Sequence, residues 1–391
     1  MSNSFKTFLK HTAKDFHNQS VNPPVVRAST IIFKSMKDIR KTQAKAIKNP
    51  TGGHYDYGRQ GTSTTYILQK ILTKLEESYH VFTTPTGFGA VFLALFSVTR
   101  PGDEIIVADP VYSPTRILTE NFLKEFNIKT TFYDPHDLKT LEKSITKKTK
   151  LIFVENPGSN SFDFQDLGKI ISIAKKHKIL TAMDNTWGTP YFLKPIKLGF
   201  DMAIVSATKY YSGHSDVMGG SLAVNKKVFP KVKAAERITG LRLGPDDAYL
   251  ITRGLRTLDV RLDRHRENAK KVAEFLSKNK KFKLLYPYKK DSYNFTMWKK
   301  YYTGASGLMG VQIKSKNVNS IRKFVNSLKL FGYGYSWGGF ESLALHQEFR
   351  ETGKRKYLKL KKDEHLVRFH IGLEDPSDLI ADIKQALKHL K

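Results

Sequence analysis

Four uninterrupted apolar runs constrain the fold of this chain more than any other feature: Glu104-Ile105-Ile106-Val107-Ala108, Leu151-Ile152-Phe153-Val154-Glu155, Ile179-Leu180-Thr181-Ala182-Met183 and Met202-Ala203-Ile204-Val205. Short continuous runs of this kind predict strands buried on both faces. Helix-patterned stretches such as Leu167 to His177 lie between them, so the connections read as βαβ crossovers and the sheet as mostly parallel. A length of 391 residues accommodates one large α/β unit plus a smaller domain. Ligands of such sheets collect at the carboxyl ends of the strands. Asp109, Glu155, Asp184 and Lys209 all fall at or near that edge.

The flanks read differently. Pro23-Pro24 and a polar, glycine-rich stretch from Asn49 to Gly61 would make a poor core, so residues 1–61 are expected to form an arm packed on another subunit. Residues 62–258 then make the α/β domain. Beyond Asp259 come a helix over Arg261–Ser277 and strand-like runs at Gly310–Ile313 and Leu366–Ile371, which predict a separate α+β domain over 259–391. The chain has no cysteine, which excludes disulfides, thiolate metal sites and cysteine nucleophiles. It has no long uncharged apolar stretch, and Met1–Lys6 lacks the apolar core of a secretory signal, so the cytoplasm is the expected compartment, with no membrane partner. The net charge of +30 attracts polyanions, but the lysines are spread in short clusters such as Lys175-Lys176-His177-Lys178 rather than gathered in one basic arm. A solvated basic surface is therefore expected in place of a specific nucleic-acid interface.

The chemistry centres on Lys209, which follows the Met202–Val205 run within Ser206-Ala207-Thr208-Lys209-Tyr210. An amine at a strand end beside small hydroxyls suits pyridoxal 5'-phosphate (PLP): the lysine forms a Schiff base and the hydroxyls grip the phosphate. Asp184, 25 residues earlier and about one α/β unit away, can pair with a protonated pyridine nitrogen; alone it would read as a strand-end turn cap. Gly87 and Phe88, in Thr86-Gly87-Phe88-Gly89, lead from a short strand into an apolar helix whose first N–H groups can approach an anion, although a tight turn explains the glycines equally well. Ser206 and Thr208, two apart, are expected on one face of a strand, aimed at the same oxygens or simply capping its end. Tyr112 can stack on a planar ring and exchange protons. Arg368, inside the strand-like Val367–His370 run, suits an amino-acid carboxylate or an internal Asp or Glu.

Taken together, these motifs resemble the PLP-dependent Cys/Met-metabolism (trans-sulfuration) enzymes. The resemblance runs from Tyr57-Gly58-Arg59-Gln60-Gly61-Thr62 to Arg368-Phe369-His370-Ile371-Gly372-Leu373-Glu374-Asp375, nearly the whole chain. It implies the PLP-dependent aminotransferase-like architecture (fold type I), with Lys209 carrying the cofactor and Asp184 on the pyridine nitrogen. It further implies Tyr112 stacked on the ring, with Ser206, Thr208 and the backbone at Gly87 and Phe88 around the phosphate. Tyr57 and Arg59 would reach the phosphate of a neighbouring subunit, within a homotetramer built as a dimer of dimers.

Within the family the Ser336-Trp337-Gly338-Gly339 stretch most resembles the cystathionine β-lyases; γ-acting members usually carry a smaller aliphatic residue where Trp337 stands. That likeness implies cleavage of L-cystathionine to homocysteine, pyruvate and ammonia in methionine biosynthesis, with Lys209 and Tyr112 moving protons. Arg368, Tyr335, Ser336, Trp337 and Tyr57 would lie around the substrate. Slow alanine racemisation would follow if Lys209 and Tyr112 serve opposite faces of Cα. The alternatives are a γ-synthase or γ-lyase of the same family and, from another class, a basic nucleic-acid-binding protein without catalysis. Glu155-Asn156-Pro157-Gly158-Ser159-Asn160 departs from the Ser-Asn-Pro form of many relatives, leaving open whether Ser159 or Asn160 faces the site.

Overall fold

The computed structural model describes residues 4–12, 19–54, 56–347, 355–357, 360–361 and 363–390; Met1–Asn3, part of the N-terminal segment read above, lie outside them. Seven strands form the large sheet: β1 (His80–Thr84), β2 (Glu104–Ala108), β3 (Lys129–Tyr133), β4 (Thr149–Glu155), β5 (Leu180–Asp184), β6 (Met202–Val205) and β7 (Gly220–Val224). Their order is β1-β7-β6-β5-β4-β2-β3. Alternate side chains enter two separate cores, Ile105 and Val107 on one face and Ile106 and Ala108 on the other, which is why these strands read as unbroken apolar runs. The helix Gly87–Val98 is apolar around most of its circumference and buried with Phe82, Ile204 and Leu222 on one side of the sheet.

Five strands from β3 to β6 run parallel, as expected, but β7 is antiparallel to both β6 and β1. No crossover helix follows β6. The chain turns through residues 206–219 and returns directly alongside β6, which only an antiparallel strand can do. That return is the segment carrying Lys209.

A second sheet, all antiparallel, has the order β10-β11-β9-β8, with β8 (Phe282–Leu285), β9 (Leu308–Lys314), β10 (Leu343–Gln347) and β11 (Glu364–His370). The helix Leu258–Leu276 packs against the helix Pro376–Ala386 beside it. Fold type I, with a large mostly parallel sheet and a smaller α+β unit, is therefore the architecture. In the N-terminal segment Met36–Lys48 is helical, capped by Ser35, and buries none of its residues, while Ile32 beside it is 91% exposed. Among the described residues no helix is long and apolar enough to cross a membrane.

Candidate active site

Strand ends assemble the first half of the site. Glu155 and Asp184 close β4 and β5 and are direct cross-strand neighbours. Lys209 lies in the turn after β6, whose four residues are all buried and anchor the turn to the core. The turn is tied by Lys209 N to the Ser206 carbonyl (3.1 Å), by Thr208 N to the Gly219 carbonyl (3.2 Å) and by Gly213 N to the Lys209 carbonyl (2.9 Å). The Lys209 amine donates to Ser336 Oγ at 2.6 Å and lies 5.4 Å from the centre of the Trp337 ring. Burial, reinforced by the nearby Arg368 charge and only partly opposed by Asp184, lowers its pKa from 10.5 to about 8. An amine so placed is neutral for a sizeable fraction of the time near neutral pH, which nucleophilic attack on an aldehyde needs.

Asp184 Oδ1 accepts from Thr186 N at 2.9 Å and from Thr186 Oγ1 at 2.6 Å, and that same hydroxyl oxygen accepts from Ser206 N at 2.9 Å. Thr186, which the sequence reading passed over, thus couples the carboxylate to the lysine turn; Asp184-Asn185-Thr186 is an Asx-turn pattern that offered a signal. Burial raises the Asp184 pKa above its usual 3.8, with Thr186 and then Lys209 opposing. Glu155 is raised well above 4.5 by burial and then by the neighbouring Asp184 charge. Its Oε2 accepts the Tyr112 amide N–H at 2.6 Å, which fixes the backbone from which the half-exposed Tyr112 phenol projects.

Gly87 begins the buried helix, where the N-cap Thr86 accepts from Gly89 N at 2.9 Å. A Cβ on Gly87 would stand 2.4 Å from Ser206 Oγ, so only glycine lets this helix start approach the lysine turn. Phe88 follows with its side chain partly exposed. β6 stops at Val205, so Ser206 and Thr208 belong to a turn and the expected strand-face alignment does not apply. Thr208 Oγ1 donates to the Gly219 carbonyl at 3.2 Å and accepts from Gly219 N at 3.0 Å, closing the mouth of the turn.

The small sheet supplies the second half. Arg368 on β11 donates to the carbonyls of Gly334 (3.3 Å) and Ser336 (3.0 Å). Among the described residues no carboxylate pairs with it, and burial lowers its pKa to about 10 while Tyr112 and Tyr335 lie near enough to oppose that. Tyr335 is 85% exposed; Trp337 packs on Tyr210 with ring centres 5.5 Å apart. Within the chain Tyr57 and Arg59 bond elsewhere: Tyr57 bridges to Thr30, and Arg59 donates to the Arg237 carbonyl at 3.0 Å. The structure does not join them to the Lys209 cluster through these contacts. Ser159 N donates to the Pro110 carbonyl at 2.6 Å, whereas the Asn160 amide turns to Gln347 on β10, so the Ser159 backbone is the part that braces the Tyr112 segment.

A low-pKa amine, a buried carboxylate on the adjacent strand and a glycine-opened helix start fit an aldehyde-bearing pyridine with a phosphate tail. Comparison with known proteins points the same way. The chain is 36% identical to a cystathionine beta-lyase of Bordetella avium over 370 residues, covering 94% of this chain and 92% of that protein. It is 35% identical over 379 residues to an L-alanine/L-glutamate racemase of Wolbachia pipientis wMel, covering 95% and 93%. The crystal structure of cystathionine gamma synthase from Xanthomonas oryzae pv. oryzae superposes with a TM-score of 0.89 at 28% identity, over 100% of this chain and 99% of that one. Residues 6–388 match the family model for the Cys/Met metabolism PLP-dependent enzyme, and the chain belongs to that family.

Proposed function

We propose that the chain is a PLP-dependent carbon–sulfur β-lyase that cleaves L-cystathionine with water to homocysteine, pyruvate and ammonia, as a step in methionine biosynthesis. The observation that carries this reading is the Lys209 amine held 2.6 Å from Ser336 Oγ beside Trp337, within the Ser-Trp-Gly-Gly stretch. PLP, when bound, supplies the electron sink that stabilises charge at the substrate Cα. Lys209 holds the cofactor and then removes the Cα proton, a task suited to an amine whose pKa is about 8. Asp184 would hold the pyridine nitrogen protonated, Tyr112 would lie against the ring, and Ser206, Thr208 and the Gly87–Phe88 amides would receive the phosphate. Arg368, Ser336 and Tyr335 hold the substrate carboxylate. Lys209 or Tyr112 hands a proton to the departing thiolate.

Residues 1–61 are assigned to an arm that carries Tyr57 and Arg59 into the neighbouring subunit's site, in a tetramer of two such dimers. Support comes from the helix Met36–Lys48, which has no buried residue in the single chain. Residues 62–258 and 259–391 make the cofactor and substrate-loop domains of a cytoplasmic enzyme. Membership of an enzyme family argues against a catalysis-free nucleic-acid binder.

Incubating the purified protein with PLP and L-cystathionine, and identifying thiol and oxo acid together, tests the reading. Pyruvate with homocysteine supports it; oxobutyrate with cysteine would move the chain to the γ-lyases. A second activity, slow racemisation of L-alanine by Lys209 and Tyr112 on opposite faces of Cα, is favoured by the relative named as a racemase. D-alanine no higher than in a PLP-only control would dispose of it.

A further inference from the structure

Arg368 and His370 lie two residues apart on β11 and so share one face of the strand. Both are bonded to the same loop, residues 334–339. Arg368 takes its carbonyls, as described; His370 Nε2 stands 3.1 Å from the Gly338 amide nitrogen and 3.1 Å from the Gly339 carbonyl oxygen. A neutral imidazole nitrogen accepts or donates, but does not do both. The Gly338 N–H is buried and has no other acceptor among the described residues. His370 Nδ1 is buried with no partner among the described residues, so either tautomer leaves one N–H unpaired, but in both of them Nε2 bonds the loop, accepting from Gly338 N or donating to the Gly339 carbonyl. Burial, then the neighbouring His265, keeps the ring pKa well below 6.5, so it stays neutral.

The loop needs such a tie. Ser336 has φ +80°, a conformation that is strained for a non-glycine residue and persists only where the surroundings impose it. Gly338 has φ +90°, and a Cβ there would come within 3.0 Å of Lys209 Cα and carbonyl carbon. The loop is therefore laid flush on the backbone of Lys209, with Ser336 Oγ on the amine and Trp337 beside it.

We propose that His370 is a positioning residue: through Nε2, bonded to the Gly338–Gly339 backbone, it clamps the loop onto Lys209 and so sets where Ser336 and Trp337 meet the amino-acid substrate. The substrate part rests on the function proposed above, whereas the clamp is a property of the chain itself. Two variants of the full chain test it. His370→Leu removes the nitrogen that bonds the loop, and His370→Gln returns both an acceptor and a donor in its side-chain amide. Amide hydrogen exchange is followed with and without PLP, alongside kcat and KM for L-cystathionine in the holoenzyme. The expected result for His370→Leu is about tenfold faster exchange confined to residues 334–341, and a KM about tenfold higher with kcat changed less than about threefold, both largely restored in His370→Gln. Unchanged exchange in the loop, faster exchange spread equally over β9 and β11, or a glutamine variant no better than leucine would each overturn the proposal. If exchange changes as expected while the wild-type protein leaves L-cystathionine intact, the clamp stands and the β-lyase reading falls.

Discussion

The two halves of the site are built by opposite means. On the large sheet, Glu155 and Asp184 are placed by the register of β4 against β5, and Lys209 by a turn rooted in a fully buried strand. On the small sheet, Ser336 and Trp337 are placed by an irregular loop with two residues at positive φ, held by side chains of one strand face. Strand register resists deformation because slipping it would turn core side chains outward. A loop held by a few hydrogen bonds can be re-aimed at modest expense. Under the proposed function, the rigid half would carry the chemistry and the adjustable half the selection.

Substitution can break that assignment. Lys209→Ala should lower pyruvate formation by about 10³-fold or more, since both the cofactor anchor and the base are lost. Asp184→Asn should lower kcat by about 10²-fold at nearly constant KM, as expected when a fixed charge facing the reacting system is removed. Arg368→Lys keeps the charge but loses the planar fork, and should raise KM about tenfold while kcat stays within about threefold. A kcat loss as deep as that of Asp184→Asn would erase the distinction between the halves.

Titration sharpens it. Acylation of Lys209 in the cofactor-free protein, followed by peptide mass spectrometry, should have its midpoint near pH 8 in place of the ordinary 10.5. Arg368→Ala should move that midpoint upward, because the repelling cation is gone. The folded state holds fewer protons at Lys209 than the unfolded state between about pH 8 and 10.5. This group therefore opposes folding below that window, and the opposition fades as pH rises through it.

Glu76→Gln should leave turnover unchanged and alter stability alone. Burial raises the Glu76 pKa from 4.5 to about 7, against the opposing Tyr211 hydroxyl at 2.9 Å and the Lys194 charge. A carboxyl raised in this sense contributes fully below its unfolded pKa and loses that contribution as pH climbs through 7. The glutamine variant should gain stability on the wild type between pH 5 and pH 8, by on the order of 2–3 kcal/mol in denaturant titrations.

The doubly buried strands β2, β4, β5 and β6 were legible because burial on both faces writes itself as contiguous apolar residues. The direction of β7 was not, since Gly220–Val224 looks alike read either way; only the missing crossover helix decides it. Asp184 closes a strand, and Lys209 and Tyr112 each follow one by four residues, so all three could be singled out by position and chemistry. Glu155 bonding the Tyr112 amide and His370 bonding the Gly338 amide join backbone to side chain 43 and 32 positions apart, and no local pattern records such pairs. The alignment of Ser206 with Thr208 failed for a local reason, because the strand ends at Val205, before either residue.

The position of β7 has a consequence for how the protein is made. In the sheet order β1 is an edge strand whose neighbour is β7, so Thr84 must wait for Gly220 to be synthesised before it has a partner. At about 5–20 residues per second a ribosome needs roughly 7–27 s to cover that gap. Throughout it, β1 lacks the strand that pairs with it, and the apolar helix after it lacks the β7 surface on which it packs. An unpaired strand beside an apolar helix invites wrong pairing, and here that state ends only once the turn bearing the reactive lysine has been closed.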